Sequence, residues 1–145
     1  MGKIDLEWKD VPEGWALCFN EGCALRETCL RWQVGLLAPD NLTLTRCVTP
    51  RALKDEQCRH FVAAEKVRFA RGFSTIYDKV LKQHYTPLRK EMTTMLSGKR
   101  YYYEYKRGER PLSPQQQEAI CQLFAQWGYD VAFDIYEEAY PFPWL

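Results

Sequence analysis

The chain has 145 residues, of which 46% are hydrophobic, 27% charged and 14% aromatic, with a formal net charge of +1. This balance excludes a disordered chain, and the absence of any apolar run longer than a few residues excludes a membrane-spanning helix. The length suits one compact domain or one and a half.

Charge is unevenly spread along the chain. Residues 1–50 carry a net −2, residues 51–110 a net +8 and residues 111–145 a net −5. Either the basic and acidic segments neutralise each other as ordinary solvated faces, or the basic middle meets an anionic partner. The start, Lys3-Ile4-Asp5-Leu6-Glu7-Trp8, alternates charged and apolar residues and has no apolar stretch of signal-peptide length. The expectation is a cytoplasmic protein, whose thiols stay reduced and available to metal or catalysis.

Residues 1–14 read as an extended arm ending in a turn at Pro12-Glu13-Gly14, with Trp8 and Trp15 on either side. Between Trp15 and Phe61 lie five of the six cysteines: Cys18, Cys23, Cys29, Cys47 and Cys58. Four residues separate the first two and five the next two, and Leu30-Arg31-Trp32 follows at once. A short helix is expected over Ala24–Gly35, with Leu25, Cys29 and Leu30 along one side. Cys18 and Cys23 would then sit on the preceding loop and Cys29 on the helix. Residues 36–57 read as a connecting loop with a short strand over Leu42–Val48, returning the chain to Cys58-Arg59-His60-Phe61.

Beyond residue 62, Val67 and Phe69 alternate with Lys66, Arg68 and Ala70, which suggests a strand or the start of a helix, the strand being preferred. Ile76, Tyr77, Val80, Leu81 and His84 form a helical stripe after Ser74. Thr86-Pro87 predicts the start of a second helix, since proline is favoured at a first helical position, with Leu88, Met92, Met95 and Leu96 on its apolar side and Gly98 ending it. Lys99–Lys106 reads as a strand with Tyr101, Tyr103 and Tyr105 on one face. Ser113-Pro114-Gln115-Gln116 predicts a capping box opening a helix with Ile120, Leu123, Phe124 and Trp127 on one face and a stop at Gly128. Cys121 lies beside those core positions and is expected to pack. Val131, Phe133 and Ile135 alternate as a last strand, and Tyr140-Pro141-Phe142-Pro143-Trp144 as an extended aromatic tail.

The expected fold is α+β: a small antiparallel sheet of about three strands with about three helices, plus an irregular cysteine-rich N-terminal segment. The expected division is a metal-binding segment over residues 1–61 and an α+β domain over residues 62–145, or both in one compact unit.

Cys18, Cys23, Cys29 and Cys58 are the candidate metal ligands, with Cys47 and His60 as possible replacements. Four thiolates around zinc make a closed, structural site. The wider gaps also suit an iron–sulfur cluster, and buried free cysteines acting as small apolar residues are the third reading.

The run from Trp15 to Cys23, then Cys29-Leu30-Arg31, Cys58 and Phe61, together with Tyr101-Tyr102-Tyr103 and Leu112-Ser113-Pro114, resembles a bacterial family of unknown function over nearly the whole chain. The resemblance implies that Cys18, Cys23, Cys29 and Cys58 are the ligand set rather than Cys47. It implies no activity.

No catalytic motif is present: there is no phosphate loop, no Gly-x-Ser-x-Gly and no His-Glu-x-x-His. His60 and His84 are the only histidines. The acidic group Asp130, Asp134, Glu137 and Glu138 reads as a solvated face. No catalytic residue is assigned, and a binding or regulatory module is expected, with no membrane partner.

Two partner classes remain. Residues 74–97 are spaced as a helix-turn-helix, with Arg89 and Lys90 in its second helix and Lys99 and Arg100 just after it. Lys106, Arg107 and Arg110 extend the basic run, and Tyr102 on the same face as Arg100 could stack on bases, which together point to nucleic acid. The aromatic surface of the tyrosine-rich segment and Trp144 instead points to another protein as partner.

Overall fold

The structure, a computed structural model, describes residues 4–142, so that Trp144 of the aromatic tail lies outside the described residues. The α+β expectation holds: four α-helices and two small antiparallel two-stranded sheets are present among the described residues. The chain forms two compact units, Met1–Lys66 with Tyr140–Leu145, and Val67–Ala139.

The first unit has little regular structure and is built on a small core of Trp15, Leu17, Leu30 and Val34. Phe142 meets Trp15 edge to face at 4.8 Å between ring centroids. Backbone pairing replaces extended secondary structure here. Leu17 N–H donates to Arg46 O at 3.1 Å and Val48 N–H to Leu17 O at 2.8 Å, fixing the 42–48 segment beside residue 17. Leu30 N–H donates to Val62 O at 2.6 Å and Ala64 N–H to Thr28 O at 2.9 Å.

The helix expected over Ala24–Gly35 is shorter. Arg26–Thr28 forms a 3₁₀ turn, and α1 spans Leu30–Gly35. Cys29 therefore caps the helix with extended backbone (φ −96°, ψ 125°) instead of lying within it. Its pairing with Ala63 across an isolated bridge requires that extended conformation. The 36–57 loop ends in a hairpin, with β1 (Leu53–Lys54) antiparallel to β2 (Gln57–Cys58). Asp55 and Glu56 both take positive φ (52° and 63°), the two left-handed positions that a tight hairpin turn needs.

The second unit pairs β3 (Val67–Arg71) with β4 (Ile135–Ala139) antiparallel, Val67 opposite Ala139 and Arg71 opposite Ile135. The predicted β3 is borne out. The last strand begins where the expected alternation ended: Val131 and Phe133 precede β4, and Ile135 is exposed. Pairing with β3 sets those bounds, whereas Phe133, outside the ladder, packs in the core.

Between the strands lie α2 (Lys82–Met95), α3 (Lys99–Lys106) and α4 (Pro114–Gln126). Three expectations change here. The stripe over residues 74–84 is not a helix: Ile76, Asp78 and Val80 N–H groups donate three residues back, to Phe73, Thr75 and Tyr77, and Leu81 is extended. Pro87 does not open a helix but lies inside α2. A proline in a helix interior costs about 3 kcal/mol. Full burial of Leu88 and Met92 just beyond it offsets that, at roughly 1.5–3 kcal/mol per side chain. The two-helix reading of 74–97, and the helix-turn-helix with it, therefore gives way to one helix.

Lys99–Lys106, expected as a strand, is α3. Ser97 (φ 71°) and Gly98 (φ 121°) reverse the chain directly after α2, so α3 packs back on it and buries Tyr102. Tertiary burial overrides the strand preference of tyrosine. The capping box that opens α4 is borne out: Gln116 N–H donates to Ser113 Oγ at 3.2 Å and Ser113 N–H to Gln116 Oε1 at 2.9 Å. Ile120, Leu123 and Phe124 enter the core as their spacing predicts.

Candidate functional site

Cys18, Cys23, Cys29 and Cys58 come from three places in the first unit: the 18–23 loop, the cap of α1 and the end of the β1–β2 hairpin. All four line one small cavity of about 20 Å³, together with Trp32 and Phe61. Such a volume holds about one water-sized sphere. Cys23 and Cys29 are buried and Cys18 and Cys58 half-buried.

Local structure explains each position. Asn20 Oδ1 accepts from Gly22 N–H at 3.1 Å and Asn20 O from Cys23 N–H at 3.1 Å, folding the 18–23 loop into a tight turn. Cys18 N–H donates to Arg31 O at 3.2 Å, tying the loop to α1. Cys58 is delivered by the two-residue turn at Asp55-Glu56.

Burial pushes the Cys18 thiol above its ordinary value, the Asn20 backbone N–H pulls it back, and Cys29, Cys23 and Cys58 add to the rise. Arg31 is lowered by burial, while Cys29, Cys58 and Cys18 raise it. At Cys18 the balance favours the thiol, because burial and the neighbouring sulfurs outweigh the Asn20 backbone N–H.

Arg31 is a positioning residue that the sequence reading passed over. Its Nε donates to His60 O at 2.8 Å, its Nη1 to Ala16 O at 2.7 Å, and its guanidinium lies 4.4 Å from the Trp15 ring centroid. It thereby joins the segments that carry Cys18 and Cys58. The only sequence signal was its place immediately after Cys29-Leu30.

The other candidates separate from this cavity. Cys47 is exposed and lines a different pocket, and the His60 ring is exposed, although His60 also borders the thiol cavity. Cys121, expected to pack in the core, is exposed on α4. Its helical position places it off the Ile120–Phe124 stripe, so the core contact is not made. Among the described residues, no group of three or more His, Cys, Asp and Glu side chains is assembled to hold a metal ion as it stands. The four thiols share a lining without forming a ready-made coordination shell.

The basic residues of the second unit do not form a single face. Arg89, Lys90 and Lys99 line a cavity of about 400 Å³ between α2 and α3. Arg100 and Arg110 both pair with Glu104, at 3.2 Å and 3.1 Å, and Arg110 is the main cause holding that carboxyl below its ordinary value. Arg107 pairs with Glu109, and Lys106 is half-buried at the end of α3. Tyr102 is buried and its hydroxyl lies 2.8 Å from that of Tyr77, which leaves it unavailable to stack on a base. Of the acidic group, Asp134 accepts from Ser74 Oγ at 3.0 Å and Glu137 from Arg71 at 2.8 Å, so both serve the fold.

Among the described residues, no helix is long and apolar enough to cross a membrane. No curated protein and no solved structure matches the chain. A family match does span residues 1–142, in agreement with the expected membership of a family of unknown function over nearly the whole chain. The chain belongs to the family of unknown function DUF6078.

Proposed function

We propose that Cys18, Cys23, Cys29 and Cys58 hold a single zinc ion that ties the irregular first unit together, in a cytoplasmic bacterial protein acting as a binding or regulatory module. One observation carries the reading: four cysteines from three separate segments line one cavity, while Cys47 and Cys121 lie elsewhere. Four sulfur donors suit a closed tetrahedral zinc site. The volume of about 20 Å³ supports one ion over a multi-iron cluster. On this reading the thiols close inward from the lining by side-chain rotation, and the metal's binding energy becomes part of the folding energy of residues 15–61.

The test is elemental analysis and a visible spectrum on protein purified without oxygen. About one zinc per chain and no colour are expected. Several irons per chain and a brown protein would replace zinc by an iron–sulfur cluster, and no metal would end the reading. Burial of Tyr102, the carboxylate partners of Arg100, Arg107 and Arg110, and the single α2 helix give nucleic-acid binding by the second unit no support.

A further inference from the structure

One pocket of the first unit was not legible as a motif. It has a volume of about 600 Å³ and is lined by Arg31, Arg46, Arg51, Arg59 and His60 around Trp15. That volume falls within the roughly 300–1,000 Å³ of small-molecule sites. No aspartate or glutamate lines it. None of the four arginines forms an ion pair among the described residues, although most other arginines near an acid do.

The pocket is assembled by backbone structure. Arg46 is placed by the Leu17–Cys47 bridge and anchored through Nη1 to Gly14 O at 3.1 Å. Arg51 stands on the 3₁₀ turn Pro50–Ala52, and Arg59 follows β2 directly. Arg31 is held rigidly by two carbonyls and the Trp15 ring.

Four guanidiniums around one cavity repel each other, and an uncompensated cleft of one sign focuses its field on an incoming counter-charge. Guanidinium forks match phosphate oxygens in pairs, which an ammonium does not. We propose that this pocket binds a small molecule bearing phosphate groups, with Arg46, Arg51 and Arg59 contacting the phosphate oxygens and Arg31 forming the fixed wall. The inference uses none of the four candidate ligand thiols, although Arg31 and His60 line both cavities.

The test is calorimetric titration of the full chain with inorganic pyrophosphate, competed by a ten-nucleotide single-stranded DNA. Saturable binding at one site is expected. Arg46→Gln and Arg59→Gln should each weaken it by about tenfold or more, and Arg107→Gln, in the second unit, should leave it unchanged. Arg59→Gln, on an exposed turn, keeps the test standing if Arg46→Gln disturbs the contact with Gly14. No saturable pyrophosphate binding, or equal weakening by Arg107→Gln, would overturn the proposal. So would DNA binding at these arginines that pyrophosphate fails to displace, since it would assign the surface to a nucleic acid.

Discussion

A Cβ on Gly35 would stand 2.9 Å from the carbonyl oxygen of Cys18 and 3.3 Å from the Phe19 ring. The last residue of α1 is thus pressed against the backbone of the first candidate ligand, and only a glycine permits that approach. Gly35→Ala must push the 18–23 loop away or distort α1. The expected cost is about 1–3 kcal/mol, the range for overpacking a filled site. Urea denaturation reads that cost, and on the zinc proposal a chelator competition should read an accompanying loss of metal affinity. A wild-type midpoint together with wild-type metal retention would show that the loop yields freely.

The cysteine assignment makes a paired prediction. Cys29→Ala removes one thiol from the cavity lining and should lose metal and melt well below the parent protein. Cys121→Ala, on the exposed face of α4, should keep both metal content and melting temperature. Equal metal content in the two variants would remove Cys29 from the ligand set.

The hairpin that carries Cys58 turns through two residues with positive φ, neither of them glycine or asparagine. Left-handed backbone at such residues costs on the order of 1 kcal/mol or more each. Glu56→Gly should therefore stabilise the first unit by about 1 kcal/mol, measured as a rise in denaturant midpoint. A fall in midpoint would mean that the Glu56 side chain makes a contact worth more than the relief of strain.

The second unit carries a buried phenol pair, Tyr77 and Tyr102, with hydroxyls 2.8 Å apart. Burial raises the Tyr77 phenol, with the hydrogen bond to Tyr102 adding to the rise; burial also raises Tyr102, opposed by the same bond. Both phenols stay neutral in the folded protein at a pH where an unfolded tyrosine ionises, near about 10. The stability they contribute is therefore complete below about pH 10 and is lost as pH climbs above it. The urea midpoint should drop between about pH 9 and about pH 11, and less steeply in Tyr77→Phe. At neutral pH that variant leaves the Tyr102 hydroxyl buried without its partner and should cost about 1–3 kcal/mol. An alkaline slope identical in parent and variant would show that other groups set it.

Short-range chemistry decided the parts of this protein that the sequence makes plain. The Ser113-Pro114-Gln116 capping box, the stripe of Ile120, Leu123 and Phe124, and the alternation at Val67–Phe69 each lie within one element, so neighbours a few residues apart suffice to specify them. The cysteine spacing pointed to Cys18, Cys23 and Cys29 through local loop and cap geometry, whereas Cys58 reaches the same cavity only through the β1–β2 hairpin. Where the reading failed, partners distant in the chain won. Tyrosines 101–105 are as compatible with a strand as with a helix; the left-handed turn at Ser97-Gly98 and burial of Tyr102 beside Tyr77 made them α3. Pro87 signals a helix start, yet burial of Leu88 and Met92 holds it inside α2. The bounds of β4 came from pairing with β3, some seventy residues away. The arginine pocket is the plainest case. Arg31, Arg46, Arg51 and Arg59 carry no common spacing, and only the folding of the backbone around Trp15 brings their charges to one cavity.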